Sequence, residues 1–213
     1  MSIFMKSLRL ATMLVCGLSL QPALQAAETP GDENPDWPCE QILVPEIAPA
    51  VVWAGPSIEG MQDAWRKDAE VESLVRRLTS ADYNLDNADN DIGAFAKRQP
   101  AAEKDHKLTL LFAGVIQRLN EVRSNELNDI MRYARGQSDR ANQLSGELDE
   151  MVKLQDDPSE AAQKRLALIQ SEMELKQRMF DDREAFIQHL CGRPVVIEQK
   201  VGSLARTIAY YLD

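Results

Sequence analysis

The sequence is poor in the residues from which most catalytic and metal sites are built. It contains two histidines and three cysteines among 213 residues, and aromatic residues are only 6% of the chain. Two histidines leave little room for a histidine-built metal site or a catalytic triad. The chain also has no haem-attachment motif, no glycine-rich phosphate loop and no serine elbow. We therefore predict a non-enzymatic protein without a metal or another cofactor.

Basic residues are scarce relative to acidic ones. Lys and Arg number 24 and Asp and Glu number 34, which gives a net charge of −10 at pH 7. Proteins that coat nucleic acid need a basic surface, so we expect no nucleic-acid partner. The chain is 44% hydrophobic and 27% charged, which excludes a wholly disordered protein. Its length suits one domain of ordinary size.

No apolar run is long enough to cross a bilayer, which takes about 20 residues. The N-terminal segment has Lys6 and Arg9 around the start of an apolar stretch, Leu10–Leu20, and Ala26 offers a small residue for cleavage. This pattern is typical of a secretory signal peptide. We therefore expect residues 1–26 to be removed, the mature chain to be periplasmic or secreted, and no stable membrane insertion.

Cleavage would leave two cysteines, Cys39 and Cys191, separated by 152 residues. In an oxidising compartment such a pair most simply forms a disulfide. The alternative is a reactive thiol at Cys39, but a redox site would require a second cysteine close by in the sequence. We therefore predict a structural disulfide between the two ends of the mature chain.

The segment 27–56 predicts an extended strap. It holds six of the ten prolines, and proline lacks the backbone donor that a helix interior or a central strand requires. The segment is too apolar for a disordered tail, so we expect it to dock on the body and to be anchored by Cys39. Its apolar residues are Trp37, Ile42, Val44, Ile47, Val51, Val52 and Trp53.

Only helical patterns follow residue 56, which predicts an all-α fold. Apolar spacing indicates a helix from a cap at Ser57 to about residue 78, and a second helix over 86–98 that Pro100 ends. No proline or turn cluster then interrupts residues 101–155. This third helix would be about 80 Å long at 1.5 Å per residue, a length typical of coiled coils.

The third helix and a returning helix predict an antiparallel coiled-coil hairpin over residues 122–191. Apolar residues alternate by three and four positions along both arms. Asp157 would cap the returning helix, with Glu160 completing a capping box. Gly192 and Pro194 predict that this helix ends at Cys191.

The remaining segments predict a compact base from which the hairpin projects. Residues 57–121 would form the helical base, because the densest apolar run falls beyond the reach of the returning arm. Residues 192–213 would form a separate C-terminal helix that packs on this base. The acidic stretch 82–91 resembles the opening of a calcium loop, but Asn87 and Gly93 occupy positions where such a loop needs glycine and glutamate.

The middle of the hairpin is the candidate contact region. Gly136 and Gly146 each cost about 1 kcal/mol relative to alanine inside a helix. The facing positions there are small or polar, which indicates either a loose coiled coil or a soft stretch that accepts another helix. The candidate interaction residues are Ala134, Gln137, Ala141, Leu144 and Lys176.

The leading functional prediction is an exported adaptor or scaffold that binds a protein partner, or associates with itself, through the hairpin. One alternative is a holding chaperone that grips unfolded exported chains between hairpin arms. Another is a ligand- or metal-responsive helical bundle with a pocket in the base near Trp37, Trp53 and Trp65.

Overall fold

The computed structural model describes residues 34–213, so the predicted signal peptide lies outside the described residues. This part of the chain contains helices, turns and bends with no β-strand, which confirms the all-α class. Two 3₁₀ turns, Ala64–Lys67 and Leu85–Asn87, lie among the helices. The helices are α1 Pro49–Val52, α2 Ala69–Thr79, α3 Ala88–Arg98, α4 Ala101–Gln155 and α5 Glu160–Tyr210.

The two long helices α4 and α5 run antiparallel from a tight turn. Near the turn Arg165 pairs with Glu150, at 2.8 Å, and farther along Gln137 Nε2 donates to the carbonyl of Phe180 at 3.3 Å.

The cap of α5 differs from the prediction, because Ser159 rather than Asp157 is the N-cap and its side chain accepts from the Ala162 amide. The carboxylate of Asp157 instead accepts from the Ser159 amide within the turn.

The predicted helix end at Cys191 is wrong, because α5 continues through Gly192 and Pro194 to Tyr210. Proline removes one helical hydrogen bond and crowds the carbonyl one turn earlier, which usually kinks or ends a helix. Here the strap contacts the helix at this place: Gln41 Nε2 donates to the Cys191 carbonyl at 2.6 Å, one residue after the Leu190 carbonyl that Pro194 leaves without a helical donor. One helix therefore forms both the returning arm and the last helix of the base.

The start of α2 also differs from the prediction. The segment after Ser57 is not helical: Gly60 has φ = 76°, a left-handed conformation that a continuing α-helix excludes. Trp65 lies in the first 3₁₀ turn, and Asp68 then caps α2 by accepting from the Glu70 and Val71 amides. The second predicted helix is confirmed as α3, and Gln99, just before the proline, is its C-cap.

The core of the base forms where α2, α3, the N-terminal part of α4 and the C-terminal part of α5 pack together. Every residue of the apolar run 108–116 on α4 is buried. Gly114 permits the close approach of α2, since a Cβ there would lie 2.6 Å from Val75 Cγ2 and 2.8 Å from the Trp65 ring. Trp53 of the strap stacks on Phe112, with ring centroids 4.0 Å apart.

The strap lies along α4 and α5, and the predicted disulfide between Cys39 and Cys191 is present, with a Cα–Cα distance of 5.6 Å. Asn120 on α4 exchanges two hydrogen bonds with the backbone of Ile47, at 3.0 and 3.1 Å. The guanidinium of Arg123 is almost fully buried and donates to backbone carbonyls of the strap and to Glu198. These contacts hold the strap where the hairpin leaves the base.

Candidate functional site

The middle of the hairpin has a thin interface. In residues 131–155 of α4 only Gln137 is buried, and no side chain in residues 170–186 of α5 is buried. The arms are held there largely by polar contacts between side chains rather than by an apolar core. This stretch therefore differs from an ordinary helix pair, in which an apolar stripe is covered by its partner.

Gln137 is 3% exposed and lies between the arms, where only the nitrogen of its side-chain amide has hydrogen-bond partners in the described part of the chain. Its Nε2 donates to the Phe180 carbonyl and to Glu184 Oε2, at 3.3 and 3.2 Å. Its Oε1 has no hydrogen-bond partner within residues 34–213. A buried acceptor without a partner costs about 1–3 kcal/mol, which offsets much of what the two hydrogen bonds across the arms contribute.

Lys176 links the arms by charge. Its Nζ lies 2.9 Å from Glu147 of α4 and 2.8 Å from Glu172 of its own helix. These bonds, first that to Glu172 and then that to Glu147, raise the pKa of Lys176, and the same lysine lowers the pKa of Glu172. Nearer the turn, the bond from Arg165 lowers the pKa of Glu150. These groups are therefore charged at neutral pH. The pairs that join α4 to α5, Lys176 with Glu147 and Arg165 with Glu150, oppose separation of the arms.

A cleft of about 210 Å³ opens beside this ion-pair group. Two of the predicted interaction residues, Leu144 and Lys176, line it, and Gln137 contacts the lining residue Phe180. Ala134 is half-buried and Ala141 is exposed, and both lie outside the lining. The lining residues are Arg140, Gln143, Leu144, Lys176, Met179, Phe180 and Arg183.

An exposed apolar stripe runs along α5 and was not predicted from the sequence. Leu168, Leu175, Met179 and Phe186 are between 44% and 55% exposed. They follow one another at steps of seven, four and seven residues, so at 3.6 residues per turn they point within about 40° of one another. We call these four residues the α5 stripe. The spacing is visible in the sequence. The predicted heptad register describes the seam between the arms, and these four residues lie outside that seam.

The base carries a larger groove, of about 1280 Å³, between the strap and α4. Of the three tryptophans expected near a pocket, only Trp53 lines it. Trp65 is 1% exposed and its indole N–H donates to Gln117 Oε1 at 2.7 Å. The indole N–H of Trp37 donates to the Gln41 carbonyl, also at 2.7 Å.

The acidic stretch 82–91 stabilises the base through internal contacts. Asp91 accepts from the Tyr83 hydroxyl at 2.9 Å and pairs with Arg77 at 3.2 Å, while Asp89 accepts from the Tyr211 hydroxyl at 2.8 Å. Burial and then Asp91 raise the pKa of Tyr83, so its hydroxyl stays protonated. In residues 34–213 no group of three or more His, Cys, Asp or Glu side chains is placed to hold a metal ion.

No helix in the described part of the chain has the length and hydropathy to cross a membrane. No protein-family model matches the sequence, and no curated protein or solved structure matches it either.

Proposed function

We propose that this protein is a non-enzymatic exported adaptor or scaffold that makes its functional contact through the coiled-coil hairpin. The observation that carries the proposal is the α5 stripe. Its four large apolar side chains share one face of a helix and each leaves about half of its surface uncovered. Apolar patches on soluble proteins commonly mark interaction sites, and apolar residues at this spacing are how helices recognise one another.

The contacts at the root of the hairpin, where it leaves the base, support a role in which the hairpin presents its exposed face to a partner. The disulfide joins the strap to α5 at Cys191, and the buried Arg123 joins the strap to α4 and to Glu198. The apolar core of the base holds the N-terminal part of α4 and the C-terminal part of α5. A helix pair fixed at its root and weakly paired farther out presents an exposed face while retaining freedom to adapt to a partner.

The test is affinity capture of the tagged protein from the exported fraction of the cells that produce it, with lysine crosslinking. We expect one dominant partner, crosslinked to exposed hairpin lysines such as Lys153 and Lys164. Leu175→Glu places a charge in the α5 stripe and should reduce capture about 100-fold, since an unpaired charge at an apolar contact costs several kcal/mol. The matched control is Gln177→Glu, two residues away on the opposite face of α5.

Two outcomes would contradict the proposal. Equal capture by both variants would remove the α5 stripe from the contact. A broad set of weakly bound, unrelated clients would instead support the holding chaperone, and suppression of client aggregation would then be the relevant assay.

The groove in the base supports a second candidate, a ligand-responsive bundle. Its volume of about 1280 Å³ is sufficient for a small molecule, and Trp53 lies in its wall. A ligand that binds only the folded protein raises the melting temperature by mass action. We would screen periplasmic metabolites and metal ions for such a shift, together with a change in tryptophan fluorescence that Trp53→Phe removes. A panel without any shift would contradict this candidate.

A further inference from the structure

We propose that the α5 stripe is occupied by a second copy of this chain, placed antiparallel and related by a two-fold axis. This inference rests on the proposed function and specifies its partner. It would give the scaffold two bases joined through their hairpins. Three observations on α5 carry it: the spacing of the stripe, the charges beside it and the position of the cleft between the arms.

The spacing of the α5 stripe is symmetric about its centre. Steps of seven, four and seven residues read the same in both directions. A two-fold axis level with Gln177 therefore places Leu168 against Phe186 of the second copy, and Leu175 against Met179 of the second copy. A two-fold interface requires a patch that is complementary to itself, and the symmetric spacing meets this requirement. The stripe spans 18 residue steps, about 27 Å at the helical rise.

The charges beside the α5 stripe fit the same arrangement. Glu172 and Arg183 flank the stripe on one side of α5, each within about 60° of it. In the two-fold pair this side faces its own counterpart, so Glu172 of each copy lies within one residue step, about 1.5 Å along the helix, of the level of Arg183 of the other. Within residues 34–213 the guanidinium of Arg183 forms no ion pair, whereas Glu172 already contacts Lys176. The dimer would thus give Arg183 two-fold related carboxylate partners.

The cleft between the arms lies at the centre of this interface. Met179 belongs both to the α5 stripe and to the lining of the 210 Å³ cleft. Leu175 of the second copy is placed level with Met179, so an apolar side chain would arrive at the mouth of the cleft. Apolar anchors that enter pockets near the centre of an interface contribute most of its affinity.

The experiment is a charge exchange followed by sedimentation velocity over a concentration series. The protein is purified with its disulfide intact. The unaltered protein should show a concentration-dependent monomer–dimer equilibrium. Glu172→Arg places two arginines together in each of two contacts, and Arg183→Glu places two glutamates together. Each variant alone should dimerise about 100-fold more weakly, because like charges across an interface cost several kcal/mol.

A mixture of the two single variants is the decisive sample. In a heterodimer of Glu172→Arg with Arg183→Glu, both contacts again join opposite charges, so the mixture should recover dimers that neither variant forms alone. Loss of folding cannot imitate this recovery. A mixture that remains monomeric, while the unaltered protein dimerises, would overturn the antiparallel register.

A photocrosslinker in place of Leu175, used in the producing cells, separates this inference from the proposed function. Crosslinks to a second copy support the dimer. A strictly monomeric purified protein, with crosslinks from position 175 to a different protein, overturns the dimer but leaves the adaptor proposal standing. No crosslink of any kind overturns both.

Discussion

The base and the hairpin are built from the same two helices, yet they are held together differently. On α4 the run 108–116 is completely buried, whereas only Gln137 is buried in residues 131–155. On α5 the final turns bury Val201, Leu204 and Ile208, whereas the middle leaves large apolar side chains exposed. Continuity of a helix therefore does not imply continuity of its packing.

This difference separates the region that stabilises the fold from the region that is available to contact a partner. An apolar core contributes most of the free energy of folding, and the base contains that core. The middle of the hairpin relies on ion pairs such as Lys176 with Glu147, and solvent-accessible pairs contribute little stability. A surface that is not required for folding is free to bind a partner, so the same kind of change should have different effects in the two regions.

The largest expected effect is at the junction between the regions. Reducing the Cys39–Cys191 disulfide, which closes a loop of 152 residues, should lower the free energy of unfolding by about 5 kcal/mol in the chain-entropy model. Urea denaturation with and without reductant measures this loss. Cys39→Ser should give a similar loss that reductant does not increase. Unchanged stability after complete reduction would mean that the strap is held by its other contacts alone.

Truncating one leucine in each region should lower the free energy of unfolding by less than reduction of the disulfide does, and by more in the base than in the hairpin. Leu111 in the base is 0% exposed, so Leu111→Ala should cost about 2–5 kcal/mol. Leu144 in the hairpin is only half-buried, and Leu144→Ala should cost about 1 kcal/mol. Urea denaturation measures both values. Equal losses would show that the middle of the hairpin contributes to the core as much as the base does.

Replacing glycine by alanine should have opposite effects in the two regions. Gly114→Ala would put a Cβ into Val75 and Trp65, and overpacking of this kind costs about 1–3 kcal/mol. Gly146 has open space around its Cβ position, so Gly146→Ala should stabilise the protein by up to about 1 kcal/mol through helix propensity. Melting temperatures should move down for the first variant and up for the second. A loss of stability in Gly146→Ala would contradict the open geometry of the arm.

The smallest expected effect is a pH dependence of the hairpin. Arg165 lowers the pKa of Glu150, and Lys176 lowers that of Glu172, below the ordinary value of 4.5. Their stabilisation is therefore complete above pH 4.5 and is lost as the pH falls through the lowered pKa values. Amide hydrogen exchange, corrected for its intrinsic pH dependence, should show the arms of the hairpin losing protection before the buried run 108–116 of α4. Simultaneous loss in both regions would contradict a hairpin stabilised mainly by charge.

The sequence predicted what depends on local patterning. The 55 residues of α4 follow from the absence of proline and turn signals over 101–155, and that helix is confirmed with its predicted bounds. The disulfide is also confirmed, since two cysteines in the predicted mature chain leave one intramolecular pairing. The predicted cap at Asp157 is wrong by two residues, because α5 begins at Glu160 and the side chain of Ser159 accepts from the Ala162 amide.

Tertiary contacts explain the larger errors. Gly192 and Pro194 normally end a helix, but here the disulfide holds Cys191 and Gln41 binds its carbonyl from 150 residues away in the sequence. No local pattern reveals such a partner. The α5 stripe was missed for another reason: one helix carries two apolar faces, and a single heptad register describes only one of them.

The most direct test of the central claim compares two positions on α5 in the cells that produce the protein. A photocrosslinking amino acid replaces either Leu175, in the α5 stripe, or Gln177, which is exposed on the opposite face of the same helix. If the hairpin makes its functional contact through the stripe, position 175 should give a discrete crosslinked product and position 177 should give none. Equal crosslinking from both positions, or crosslinking from position 177 alone, would contradict the account.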